Sequence, residues 1–215
     1  MSDDDSASRE RQSDAPRLKM ILRMIQPHYP DSLPVFDYNE QLLIETQITL
    51  KNRRKRRVES RMYPSSHDSF TDLTRRHRFV CFFVVQPAGS GSYYSTHDLL
   101  LRKRLATGFH DSMTLFVVSL SDHYLPQESS FLHGTGFAAL MSTPVLMSLL
   151  NVTQVPTIVI IDSNTGRPLF RDSALAIEWN DPHDCLNAWQ AGGSGLTASQ
   201  KVFSLATFQG DCTIL

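Results

Sequence analysis

The segment from Asn151 to Leu169 constrains the fold of this chain more than any other. It reads as loop, strand, turn, strand. Pro156 stands directly before the β-branched run Thr157 to Ile161, where proline can open a strand although it could not sit within one. Asp162 to Gly166 supplies turn chemistry, with Gly166 able to take a positive φ, and Leu169 to Arg171 can return antiparallel. A proline that fixes the approach to a strand is also the kind of position where a cis X-Pro bond occurs.

Two further apolar runs extend this hairpin into a sheet. Phe79-Val-Cys-Phe-Phe-Val-Val85 is apolar on both faces, as a central strand covered by helices should be. Leu115 to Leu120 is the next buried strand. Between them, Asp98 to Leu105 predicts a helix whose basic end suits its C-terminal dipole. Strand, helix and strand then form a right-handed parallel unit. Thr143-Pro144 gives an N-cap with proline at the first helical position, starting a helix that ends near Asn151. Asp181-Pro182 repeats that signal for a last helix through Trp189. Residues 122–142 are the least regular part: Gly134 and Gly136 weaken a helix over Glu128 to Leu140, and Phe137 to Leu140 reads as a short extended piece.

Residues 1–16 have almost nothing to bury and read as a disordered head. An N-terminal extension follows over 17–76. In it Leu18, Ile21, Leu22 and Ile25 place one apolar stripe on a short helix, ended by Pro27, Pro30 and Pro34. The stripe is small and weakly basic, so packing accounts for it better than a membrane surface. Leu42, Ile44, Thr46, Ile48 and Leu50 recur at period two and predict a half-buried strand. Lys51 to Arg57 then holds six basic residues in seven, a pattern for polyanion binding or nuclear import, or simply a solvated loop. No aromatic residues are interleaved for base stacking, which argues against single-stranded nucleic acid. Met62 to Thr74 reads as a loop into the main domain. Ala191-Gly-Gly-Ser-Gly195 predicts a flexible linker that opens a C-terminal tail over 191–215.

The words Phe79-Val-Cys-Phe-Phe-Val-Val85, Phe116-Val-Val-Ser119 and Asn151-Val-x-x-Val-Pro-Thr157 resemble the thioredoxin-like superfamily, and within it the tryparedoxin and nucleoredoxin branch. The resemblance spans Phe79 to Trp189. It implies an α/β thioredoxin-like fold over 77–190, a central mixed sheet flanked by helices, with a cis-proline loop at Val155-Pro156 facing a redox site. Oxidoreductases of this kind carry Trp-Cys-x-x-Cys at a helix start. There the first sulfur is a thiolate stabilised by the helix N-terminus, and the second resolves the mixed disulfide. Here that position falls on Gly89-Ser90-Gly91-Ser92, with Ala88 where the tryptophan would stand. A serine hydroxyl ionises far above pH 7 and forms no disulfide, and no cysteine lies between Cys81 and Cys185. Dithiol exchange at this position is chemically excluded.

The expected function is therefore a redox-inactive binding or regulatory module with no catalytic residue. Its groove would comprise Val155, Pro156 and Thr157 with Gly89, Ser90, Gly91 and Ser92, and its partner would be a protein or small thiol ligand paired to extended backbone. The alternative is a thiol–disulfide oxidoreductase working through a single or non-standard cysteine. Cys81, mid-strand in an apolar run, reads as a core residue, and Cys185 as structural. Ser90 and Ser92 lack the Gly-x-Ser-x-Gly pattern of a hydrolase nucleophile. A Gly-Ser loop before a helix could hold phosphate, but it lacks the Gly-Lys-Ser/Thr ending of a P-loop.

Composition narrows the rest. Hydrophobic content of 41% is sufficient for a core, and a net charge of −1 makes no global case for nucleic acid. No apolar run approaches the ~18 residues of a membrane helix. The three cysteines, Cys81, Cys185 and Cys212, are far apart, which fits a reducing, cytoplasmic setting. The eight histidines lack paired spacing, so neither a metal nor a cofactor is implied. Cys212-Thr-Ile-Leu215 fits a prenylation pattern, which would give weak membrane association. The same final residues also fit a PDZ-type ligand, and Lys51 to Arg57 keeps a nuclear location open.

Overall fold

The computed structural model describes residues 32–45, 64–86, 95–120, 131–153, 155–166, 168–169 and 173–208, the last segment with side chains to residue 203. Seven strands form one mixed sheet: β1 (Leu33–Val35), β2 (Ser66–Asp68), β3 (Phe79–Val85), β4 (Met113–Ser119), β5 (Ala138–Met141), β6 (Thr157–Asp162) and β7 (Pro168–Leu169). Their spatial order is β2-β1-β5-β4-β3-β6-β7. β3, β4 and β5 run parallel, while β6 is antiparallel to β3 and β7 to β6. On the other side β1 pairs antiparallel with β5, and β2 with β1.

The central strands are buried along their whole length, β3 and β4 at every residue. Because side chains alternate across a sheet, β3 serves two cores. Phe79, Cys81, Phe83 and Val85 point to one face, under α2 (Thr96–Phe109), α4 (Ser173–Trp179) and α5 (Pro182–Gln190). Val80, Phe82 and Val84 point to the other, under α1 (Phe70–Arg76) and α3 (Pro144–Leu149). The parallel β3–α2–β4 unit, the β6–β7 hairpin and the helices on both faces make this a thioredoxin-like α/β architecture, extended at its N-terminus.

The start signals of α3 and α5 act as their chemistry requires. The Thr143 hydroxyl accepts from the Leu146 N–H at 3.1 Å, and the Asp181 carboxylate from the His183 N–H at 2.9 Å. The hairpin also follows its sequence, with Gly166 at φ 70° after the Asp162 turn.

Elsewhere the structure departs from the sequence reading. Residues 40–45 are helical rather than the start of a strand over Leu42 to Leu50. The local cause is Asn39, whose side chain accepts from the Leu42 N–H at 3.1 Å while its carbonyl accepts from Leu43, an N-cap arrangement. Residues 46–50 lie outside the described residues. The expected loop over Met62 to Thr74 contains β2 and the first part of α1, capped by Ser69. The N-terminal boundary near 77 does not separate a unit: β1 and β2 complete the sheet, and Phe70 and Leu73 enter the core.

At the other end α5 is not the last helix, and Ala191 to Gly195 is a turn packed on the fold rather than a linker. The Trp189 indole N–H donates to the Ser194 carbonyl at 3.2 Å, Leu196 is buried, and α6 (Ala198–Phe208) follows. Asn180 ties this turn down, donating to the Gly195 carbonyl at 2.9 Å and exchanging amide hydrogen bonds with Gln200. The disordered head, the helix over Leu18 to Ile25, the basic run Lys51 to Arg57 and Cys212 all lie outside the described residues.

Candidate ligand groove at the carboxyl ends of the parallel strands

In open α/β sheets, ligands gather outside the carboxyl ends of the parallel strands. Here β3 ends at Val85 and β4 at Ser119, which are register partners, and the Leu120 N–H donates to the Val85 carbonyl at 3.3 Å. β6 begins at the same end, because Thr157 pairs with Val84. The peptide bond between Val155 and Pro156 is cis. Pro156 therefore stands at the mouth of the sheet, beside the point where β3 gives way to its loop.

The approach to Pro156 is built by the end of α3. Asn151 adopts φ 50°, the left-handed conformation that an asparagine tolerates after a helix. The Asn151 N–H donates to the Ser148 carbonyl and the Val152 N–H to the Met147 carbonyl, both at 3.1 Å, which closes the helix and turns the chain toward β6. Val152 and Val155 are half-buried against the same core as Leu120 and Met147. The backbone N–H and carbonyl of Val155 make no hydrogen bond among the described residues.

Across the β3 loop, α2 starts with a capping box. The Ser95 hydroxyl accepts from the Asp98 N–H at 3.0 Å, and an Asp98 carboxylate oxygen accepts from the Ser95 N–H at 2.8 Å and from the Ser95 hydroxyl at 2.7 Å. The other Asp98 oxygen is buried without a hydrogen-bond partner among the described residues. His97 faces Glu178 of α4 at 3.4 Å. Sequence reasoning passed over Asp98, although Ser95-x-x-Asp98 has the spacing of an N-terminal box.

Neither described cysteine reaches this end in a reactive form. Cys81 is fully buried mid-strand between Leu115 and Ile160, and burial pushes its thiol far up. Cys185 is buried on α5, where its thiol donates to the Ala176 carbonyl at 3.3 Å. Burial, then the neighbouring Asp184 and Asp181, push it up to about 11. A thiol that stays protonated is neither nucleophile nor metal ligand at neutral pH. No metal-binding cluster occurs among the described residues.

Of the residues singled out from sequence, Val155, Pro156 and Thr157 are brought together with the ends of β3 and β4. Gly89, Ser90, Gly91 and Ser92 lie outside the described residues, as does Cys212. No described helix is long and apolar enough to cross a membrane.

No protein-family model matches the chain, and no curated protein matches it. Among solved structures it is similar to tryparedoxin II from C. fasciculata, 11% identical, covering 74% of this chain and 90% of that one, with a TM-score of 0.46. It is also similar to a thioredoxin from Wuchereria bancrofti, 16% identical, covering 60% of this chain and 90% of that one, at 0.42. A mutant tryparedoxin-I is 17% identical and covers 58% of this chain and 87% of its own, at 0.40. These are likenesses of fold. The thioredoxin-like architecture of this chain rests on the order and direction of its own strands.

Proposed function

We propose that this protein is a redox-inactive thioredoxin-like module that binds an extended protein segment or a small thiol ligand beside Pro156. One observation carries the reading: in a fold whose exchange chemistry needs two sulfurs at the β3–α2 loop, the sequence there is Gly89-Ser90-Gly91-Ser92. Cys81 and Cys185, meanwhile, are shut in the core with their thiols held protonated. The proline strand does not depend on sulfur. The Val155 N–H and carbonyl have no partner among the described residues, so an extended segment could add to them as a strand adds to a sheet edge.

The alternative, an oxidoreductase working through one cysteine, requires a thiolate at the groove, and neither described cysteine supplies one. The test is disulfide reduction by the purified protein with a dithiol donor, beside a Gly89→Cys, Ser92→Cys double variant. A silent parent protein is the expected result. Turnover by the parent would sink the binding reading and direct attention to its own thiols. Activity gained by the double variant would show that the pair alone had been missing. Silence from the double variant would leave the parent's silence as the informative result, since Ala88 also differs from the active pattern.

A further inference from the structure

We infer that α6 is a membrane-surface helix, whose outward side around Val202 lies in the headgroup boundary of an electrically neutral bilayer. The first turn of α6 fixes which side that is. Gln200 accepts from the Asn180 amide at 3.2 Å and donates back to it at 2.8 Å, so it faces the body of the protein. At about 100° per residue, positions Ser204 and Thr207 fall on the same side as Gln200, whereas Ala198, Val202, Leu205 and Ala206 fall together on the other. The exposures agree: Val202 is 68% and Phe203 60% exposed, the highest values among the described large hydrophobic residues. A surface helix of a globular protein turns its apolar stripe to the core and its polar side to water. α6 does the reverse.

Charge and size identify what covers that side. From Cys185 to Gly210 the sequence holds one charged residue, Lys201. Glu178 and Asp181 flank Asn180, the residue that holds Gln200, and they repel an anionic surface. A second copy of the chain asks for too much area. α6 is about 16 Å long, and a stable protein interface takes about 800 Å² from each partner, more than one side of so short a helix presents. A bilayer needs no matching outline. It takes apolar side chains at its headgroup boundary, and a lysine at the flank keeps its charged end in water. Trp179, edge-on to Phe203 at 5.9 Å, adds an aromatic ring of the kind that settles at such a boundary. With no basic cluster on α6, attachment depends on apolar contact, which loosely packed, strongly curved lipid favours.

The experiment floats the full chain, produced in bacteria so that Cys212 carries no lipid, with three kinds of vesicle. These are sonicated phosphatidylcholine, extruded and therefore flatter phosphatidylcholine, and sonicated phosphatidylcholine with about one third phosphatidylserine. The small neutral vesicles should bind at least about fivefold tighter than the flat ones, and phosphatidylserine should not strengthen binding. Val202→Asp should lower the bound fraction at least about tenfold, and Val202→Ser, which adds no charge, about threefold. Val202 is exposed, so both variants should keep the parent's melting temperature; if Val202→Asp unfolds, Val202→Ser decides. Failure of the parent to bind any vesicle overturns the inference, as does full binding by both variants. Tighter binding to the phosphatidylserine vesicles overturns the neutral preference. A dimer of the parent in sedimentation that Val202→Asp dissolves would make a second copy the occupant and overturn the lipid assignment.

Discussion

Gly192 and Gly195 offer a paired perturbation that isolates how the C-terminal segment is held. Both have φ 79°, so an alanine at either pays the same left-handed cost, about 1–2 kcal/mol. Their surroundings differ. A Cβ at Gly192 would meet nothing within 4 Å, whereas one at Gly195 would lie 2.9 Å from the Trp189 indole nitrogen and 3.1 Å from the Ala176 Cβ. Trp189 is fully buried, stacked on Phe109 and edge-on to Phe79, so it cannot simply swing aside. Relieving the clash strains the bond from its indole to the Ser194 carbonyl, and a buried donor left unpaired costs about 1–3 kcal/mol. Gly195→Ala should therefore be about 2 kcal/mol less stable than Gly192→Ala, the two contributions overlapping. Urea unfolding followed by tryptophan fluorescence measures this. With a slope of about 2 kcal/mol per molar, the midpoints should differ by about 1 M. Equal midpoints, or a larger loss at Gly192, would refute the packing of 191–197 against α4 and α5.

Four further outcomes are expected. In the native protein Cys81 and Cys185 should resist alkylation at pH 8 and react on unfolding, as mapped by peptide mass; native-state labelling at the rate of a free thiol would contradict their burial. Because Cys185 has an ordinary value of 9.0 and is held at about 11 in the fold, the unfolded chain releases that proton first. Stability should fall as pH rises from about 9 to about 11, and the fall should be shallower in Cys185→Ala. Arg78 donates through two nitrogens, at 2.8 and 3.2 Å, to one oxygen of the buried Asp162. Arg78→Met should cost about 2 kcal/mol by urea titration, below the usual cost of breaking a buried pair because Arg78 is itself partly exposed. A change under about 0.5 kcal/mol would show that Asp162 finds another partner. Ser95→Ala should lower the melting temperature by about 2–4 °C, the worth of a cap of about 1 kcal/mol in a chain of this size, and Ser95→Thr should restore most of it.

What could be read from the sequence was what short-range chemistry decides. Thr143-Pro144 and Asp181-Pro182 start helices because the cap and the proline act within one turn. The runs at β3 and β4 are unambiguous because only a doubly covered strand buries every residue. Residues 42–45 misled because the alternation over Leu42 to Leu50 reads as a strand on its own, and the group that starts a helix there, Asn39, lies upstream of it. β2, Ser66-His67-Asp68, is an edge strand with exposed side chains, so it has no apolar signature. The glycines of 191–195 resemble a linker until Trp189 and Asn180 are brought to them by the fold. At the groove, the strand-opening role of Pro156 was legible, while the convergence of Pro156, Val85 and Ser119 depends on strand order.

The proposed reading also limits how strongly such a module can bind. Two backbone hydrogen bonds at Val155 are worth about 1 kcal/mol each in net terms, and one buried aliphatic side chain adds about 2–3 kcal/mol. A gross gain of about 4–5 kcal/mol, before the cost of association, corresponds to affinity no better than about millimolar. A covalent mixed disulfide would remove that limit in an active oxidoreductase, but Cys81 and Cys185 cannot form one while buried and protonated. A sulfur-free groove is therefore effective only where its partner is held nearby at comparable effective concentration, by a second contact or within one assembly. Truncating a captured partner to the segment that contacts Val155 should then lose most of the affinity, whereas mutating Val155 in the full assembly should lose only the small share contributed locally. Retention of tight binding by the isolated segment would mean that the groove makes contacts beyond those at Val155 and Pro156.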